Sequence, residues 1–143
     1  MINIHSYDNN SGIYGIYIDN VLVYIGKASS FHQRFGGHMY SMRHSNSQWY
    51  PLAREFDKRG HNIDARIIEK IPVRAMREKE LEYINNLQPI FNIEGCPKGR
   101  QRPTAYDEAV SILGIIPKPP VIEIKIEEPQ NNWFGEEIKF RKW

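Results

Sequence analysis

Residues 12–26, GIYGIYIDNVLVYIG, form two aromatic and β-branched runs, 12–18 and 21–26, interrupted by Asp19-Asn20. Such side chains suit a pleated, half-buried surface, and an acidic-amide pair suits a tight reversal, so the stretch predicts a β-hairpin. Its register is open. A two-residue loop pairs Ile18 with Val21 and puts Tyr14 and Tyr24 on opposite faces, whereas a three-residue loop pairs Ile18 with Leu22 and puts them on one face.

Outward from the hairpin the patterns turn helical. Ser29 or Ser30 offers an N-cap for a helix in which Phe31, Phe35 and Met42 share one side, despite two glycines costing about 1 kcal/mol each. YPLAREFDKRG, residues 50–60, has a proline near its first turn and a glycine at its end, and predicts a second short helix. NIDARIIEKI, 62–71, reads as a strand stopped by Pro72, and 74–88 shows the strongest helical pattern in the chain, closed by Pro89. FNI, 91–93, is a short extended piece. After Cys96 the composition shifts to the basic connector PKGRQRP; TAYDEAVSIL, 104–113, has Thr104 and Asp107 at capping-box spacing and predicts a small helix. PKPP is a stiff linker, and VIEIKI, 121–126, alternates as a strand does.

The chain of 143 residues is 41% hydrophobic and 25% charged, which places it among ordinary globular proteins: one domain, or a compact domain with an appendage. A single cysteine, Cys96, excludes an intramolecular disulfide and a zinc site built on several thiolates, and a reducing, cytoplasmic setting is expected. No apolar run approaches the roughly 18 residues of a membrane span, and the N-terminal MINIHSYDNN lacks the pattern of an export signal. The net charge of +2 conceals an uneven distribution: by residue count from the sequence, 26–61 carries +4 and 96–105 carries +3, balanced by −2, −1 and −2 over 1–25, 62–95 and 106–143. Two basic stretches thus stand in an otherwise acidic chain, a pattern compatible with phosphate binding.

On the 74–88 helix, Glu80 shares the apolar stripe of Met76, Tyr83, Ile84 and Leu87, while Glu78, Lys79 and Glu82 face away as a solvated surface. A carboxylate on a buried face must be paired, protonated or bound to a metal. Arg34 and His38, four residues apart, share a side of the first helix at the margin of its apolar stripe. Each taken singly is an ordinary packing or surface residue, as are Tyr14, Tyr17, Tyr24 and Tyr40.

Taken together, Gly12-Ile13-Tyr14 followed by Tyr24-Ile25-Gly26 resembles the paired motif of the GIY-YIG nuclease family, and the likeness continues in order through Arg34, His38, Glu80 and LQPIFN with Asn92. It covers roughly residues 11–93. The second GIY, at 15–17, stands too close to Tyr24 for the pattern. YIGKAS is similar to the version in excision-repair incision subunits, which brings Lys27 into the site, while His38 is more like homing and restriction members.

The resemblance implies an α/β (α+β) fold, a small central, mostly antiparallel sheet flanked by helices over 1–96, with a short C-terminal α/β extension over 97–143. It implies a DNA endonuclease using one Mg²⁺ or Mn²⁺ ion. Glu80 would be the metal ligand, Arg34 would hold a phosphate oxygen, and Tyr14 would take a proton from the attacking water with help from Lys27 or the metal field. Tyr24 and His38 would relay protons, and Asn92 would position helix and hairpin. Shared chemistry places Tyr14 and Tyr24 on one face, and so implies an odd loop, Asp19 to Val21. A nucleic-acid-binding module without cleavage is the competing reading; the presence of all six motif residues counts against it.

Basic residues mixed with aromatics suit backbone contacts and base stacking. Arg43, His44, Arg54, Lys58 and Arg59, beside Trp49, and Lys98, Arg100 and Arg102 in the connector are therefore the candidate DNA contacts. No membrane partner is expected, and a homodimer would serve double-strand cleavage. Trp133, Phe134, Phe140 and Trp143 must pack somewhere, which favours docking of the tail or a partner.

Overall fold

In the computed structural model, which describes residues 1–5 and 8–122, the hairpin consists of β2 (Gly12–Ile18) and β3 (Val21–Ala28). Its turn has two residues. Ile18 pairs with Val21, and Asp19 and Asn20 both adopt left-handed backbone, φ 48° and 68°, the geometry of a type I′ turn whose twist matches that of the strands. The expected three-residue loop is therefore not formed, yet the two tyrosines still share a face. Tyr17 lies opposite Leu22 and Ile16 opposite Tyr24, so Val23 is an extra residue in the ladder, a β-bulge. Below the bulge Tyr14 faces Gly26, two positions from the Ile16–Tyr24 pair and hence on the same side.

The sheet has the order β1-β4-β2-β3. β4 (Ile63–Lys70) runs antiparallel to β2, and β1 (Ile2–Ile4) pairs in parallel with β4 through Ile2, Asn3 and Ile4 against Ile63, Asp64 and Ala65. This is the α+β fold with a mostly antiparallel sheet that the resemblance implied. β1 has no counterpart in the sequence reading: three residues carry too little alternation to register as a strand.

Helices cover both faces. On one side α1 (Phe31–His44), α2 (Tyr50–Lys58) and α4 (Tyr106–Leu113) join Tyr14, Ile16, Ile18 and Val23 in the main core, around the fully buried rings of Phe31, Phe35 and Phe56. On the other, α3 (Val73–Leu87) lays Ile84 against Ile13 and Ile25. Ser30 caps α1 through its hydroxyl, which accepts from the Gln33 amide, as its sequence position promised. α3 begins after Pro72 and ends at Gln88, φ 45°.

At the free edge of β3, the Phe91 amide donates to the Val23 carbonyl that the bulge displaces. Next to it the Asn92 side chain accepts from the Ile25 amide at 2.8 Å and donates to the Ile25 carbonyl at 2.9 Å, so it mimics the missing neighbouring strand.

α4 starts at Tyr106, and its N-cap Ala105 makes no side-chain bond, so the capping box expected at Thr104 and Asp107 is not formed. Docking decides the start instead. The Tyr106 hydroxyl lies 2.6 Å from His61 Nε2 and accepts from the Lys118 amide, while His61 Nδ1 lies 2.6 Å from Asp19 Oδ2. These bonds tie α4, the α2–β4 loop and the hairpin turn together. Val121 and Ile122 are irregular; the rest of the expected 121–126 strand, with Trp133, Phe134, Phe140 and Trp143, lies outside the described residues.

Candidate active site

The C-terminal half of β3, the first turn of α1 and the middle of α3 converge on a cleft of about 530 Å³, into which Tyr24, Lys27, Arg34, Met76, Glu80 and Glu94 look. Glu80 stands there because α3 buries the stripe of Met76, Glu80 and Ile84. Only 8% of Glu80 is exposed. Lys27 Nζ reaches its Oε1 at 3.4 Å, a long contact to a half-exposed ammonium, which contributes little more than charge balance.

Arg34 is fixed from behind. Its Nε donates to the Tyr14 hydroxyl at 3.1 Å, Tyr14 lies 2.5 Å from His38 Nε2, and His38 Nδ1 lies 2.9 Å from the Tyr50 hydroxyl. Burial, aided by the Arg34 charge, holds His38 down to about 3, so its imidazole is neutral near pH 7 and has one donor and one acceptor nitrogen. Because the guanidinium can only donate, the Tyr14 oxygen accepts from Arg34 and its proton goes to His38 Nε2. His38 Nδ1–H then donates to Tyr50. Burial raises both Tyr14 and Tyr24 above the ordinary tyrosine range, so each keeps its proton.

The network is enclosed by rings: Tyr24 packs 5.3 Å from Trp49, and Trp49 stacks on Phe91 at 5.4 Å. Gly26 is required by this arrangement, since a Cβ there would run into the Tyr14 hydroxyl.

The sequence-derived set therefore divides by depth. Tyr24, Lys27, Arg34 and Glu80 meet at the cleft, whereas Tyr14 is wholly buried and His38 is 2% exposed beneath it. Tyr14, expected to face the attacking water, is held under the cleft by Arg34 and His38. Asn92 is built into the edge of β3. Tyr50, which completes the buried network, and Glu94, which faces the cleft from the loop after α3, were not singled out from sequence; Tyr50 shares the buried face of α2 with Ala53 and Phe56, a helical spacing that could have found it, whereas Glu94 sits in a loop that has no periodicity.

The expected DNA contacts also divide. Arg54 donates to the Met42 and Ser45 carbonyls and to Asn46 Oδ1, and so caps the C-terminus of α1. Arg59 binds Glu55 at 2.7 Å and the Lys118 carbonyl and lies 3.7 Å over the Tyr106 ring. Arg100 donates to the carbonyls of Gln88, Pro89 and Asn92, and Arg102 to that of Phe91. A rigid fork of guanidinium donors suits clustered carbonyls left over at and beyond helix ends, so Arg54, Arg100 and Arg102 brace the fold there, while Arg59 is held by Glu55, the Lys118 carbonyl and the Tyr106 ring. Arg43, His44, Lys58 and Lys98 are exposed.

Among the described residues no group of three or more His, Cys, Asp or Glu side chains converges as a metal cage. Two carboxylates, Glu80 and Glu94, line this open cleft, which fits the donor set of Mg²⁺, an ion that takes one or two carboxylates and keeps waters or phosphate oxygens.

The backbone is similar to that of a point mutant of bacteriophage T4 EndoII, with a TM-score of 0.50 and 20% identity over 59% of this chain and 74% of that one. The fold is thus shared with a solved protein. The catalytic domain of homing endonuclease I-TevI is also similar, with a TM-score of 0.46 and 29% identity over 55% of this chain and 88% of that one. No family model matches the chain, and no curated protein matches it in sequence.

Proposed function

We propose that the chain is a divalent-metal-dependent endonuclease that hydrolyses phosphodiester bonds in DNA at the cleft between β3, α1 and α3. The observation that carries this reading is Glu80: an acidic side chain placed on a buried helical stripe, opening onto a cleft that Lys27, Arg34 and Glu94 also line. A structural ion pair alone would not need Arg34 on the same cleft, nor a buried relay to hold it.

Glu80 would hold the Mg²⁺ or Mn²⁺ ion, which when bound supplies a Lewis acid at the scissile phosphate and the departing 3′ oxygen. Arg34 donates to a non-bridging oxygen and stabilises the added charge of the transition state. Its aim is set by the bond from Nε to Tyr14, which is itself held by neutral His38 and Tyr50. Tyr24 is the tyrosine the cleft presents; keeping its proton, it orients the attacking water by hydrogen bonding. Lys27 adds positive charge beside Glu80. Tyr14 and His38 are positioning residues in this scheme.

The test is a plasmid cleavage assay with purified protein. Nicked or linear product is expected with Mg²⁺ and none in chelator; Glu80→Gln and Arg34→Ala should abolish product while circular dichroism and melting stay native. Undiminished cleavage in chelator, or in both variants, would overturn the proposal. DNA retardation without product under any metal would leave a binding module as the function.

A further inference from the structure

Helix α1 carries Gly36 and Gly37 in its middle, where each costs about 1 kcal/mol against alanine. Nothing in the described chain asks for them. Neither has a positive φ, both are exposed, and a Cβ on either would meet nothing within 4 Å beyond its chain neighbours and the backbone of its own helix. Around them, Gln33 and Arg34 lie one turn before Gly37, and Tyr40, Ser41 and His44 follow at one and two turns on the same flank. The glycines thus form a notch in the helix surface that starts at the cleft wall and ends at Tyr40. Tyr40 is 66% exposed and its ring lies 4.3 Å from that of His44. The helix contains Arg34 and Arg43 and no acidic residue.

We propose that this face of α1 is the bed for one DNA strand leaving the cleft, its sugar-phosphate backbone seated in the Gly36-Gly37 notch beside Arg43 and an unstacked base lying on the Tyr40–His44 pair. The inference rests on the endonuclease reading. Charge complementarity selects a polyanion, and continuity with the cleft through Gln33 and Arg34 selects the strand being cut. Without Cβ atoms a narrow ridge can approach the helix backbone directly, and an aromatic platform beside a basic groove binds bases without regard to sequence.

The experiment uses the full chain in four forms: wild type, Gly36→Leu/Gly37→Leu, Tyr40→Ala and Tyr40→Phe. Leucine is a good helix former and the space is open, so the double variant should melt about 4–8 °C higher. Its Kd for a fluorescein-labelled duplex with a single-stranded overhang, measured by anisotropy in chelator, should rise at least tenfold, and its KM for Mg²⁺-dependent cleavage should rise with kcat retained. Tyr40→Ala should weaken binding about tenfold or more, and Tyr40→Phe should bind like wild type. A double variant or a Tyr40→Ala protein that binds within twofold of wild type overturns the inference, as does a loss in kcat with KM unchanged, or polyglutamate competing as well as DNA. Wild-type protein that neither binds nor cuts DNA fails the endonuclease reading as well; wild type that cuts, with variants that behave alike, fails this inference alone. If the double variant lacks a cooperative melt, the Tyr40 pair decides.

Discussion

Replacing Asn92 by alanine separates scaffold from chemistry. The Asn92 amide satisfies both polar groups of Ile25, at 2.8 and 2.9 Å, and Ile25 is fully buried. Alanine orphans a buried N–H and a buried C=O, each at about 1–3 kcal/mol. Water entering the vacated space recovers part of this, so a net loss of about 2–4 kcal/mol is expected. With a urea m-value of about 1.5–2 kcal/mol/M, the unfolding midpoint should fall by roughly 1–2.7 M at unchanged m. Trp49, 2% exposed, supplies the fluorescence signal. Cleavage per folded molecule, measured at low temperature and without denaturant, should stay within about threefold of wild type, because Asn92 faces the edge of β3 and not the cleft. Asn92→Asp should be at least as damaging, since a carboxylate cannot donate to the Ile25 carbonyl and adds a buried charge. A midpoint shift below about 0.3 M, or a stable variant whose cleavage rate falls a hundredfold, would refute the reasoning and move Asn92 into the chemistry.

Three further outcomes follow from the same structure. His38 is held to about 3 when folded against 6.5 when free, so the unfolded chain takes up a proton below pH 6.5 that the folded chain refuses; its contribution is complete above pH 6.5 and is lost as pH falls, by about 1.4 kcal/mol per unit down to pH 3. Urea melts at pH 7.5, 6.5, 5.5 and 4.5 should show that slope and His38→Gln should lack it; equal slopes would contradict the buried neutral imidazole. Arg54→Ala should cost about 1–2 kcal/mol in urea by uncapping α1 while leaving the salt dependence of DNA binding unchanged; a salt slope reduced by one with full stability would restore Arg54 as a phosphate contact. Tyr106→Phe removes the partner of His61 Nε2 and of the Lys118 amide, and should lower stability by about 1–3 kcal/mol by calorimetry without altering cleavage per folded molecule.

Most elements were legible because their signals are local. Ser30, Pro72 and Pro89 punctuate the helices, and the stripe of Met76, Glu80 and Ile84 exposes the buried carboxylate by periodicity alone. The misreadings arise where a distant partner decides. The Val23 carbonyl at the bulge accepts from the Phe91 amide, 68 positions along, and a short acidic-amide turn plus a bulge yields the same facing of the tyrosines as a longer loop. β1 needs β4 as its template. Arg54, Arg100 and Arg102, expected as DNA contacts, also donate to backbone carbonyls, and no pattern within a sequence marks which carbonyls folding will leave for a side chain. Tyr14 and Tyr24 share a face, yet only three-dimensional packing tells which of them the cleft reaches.

The docking of Tyr106 bears on modular exchange. The likeness to a nuclease core stops near residue 93, but the folding unit does not: Tyr106, Ala109 and Val110 belong to the same core as Phe56, with the Tyr106 and Phe56 rings 4.8 Å apart. Cutting the chain at the end of the likeness would open Phe56 and His61 to water and release the hairpin turn from its anchor. The core and its closing piece therefore form one folding unit, and any foreign segment grafted after residue 96 would have to bring an aromatic hydroxyl into the same slot.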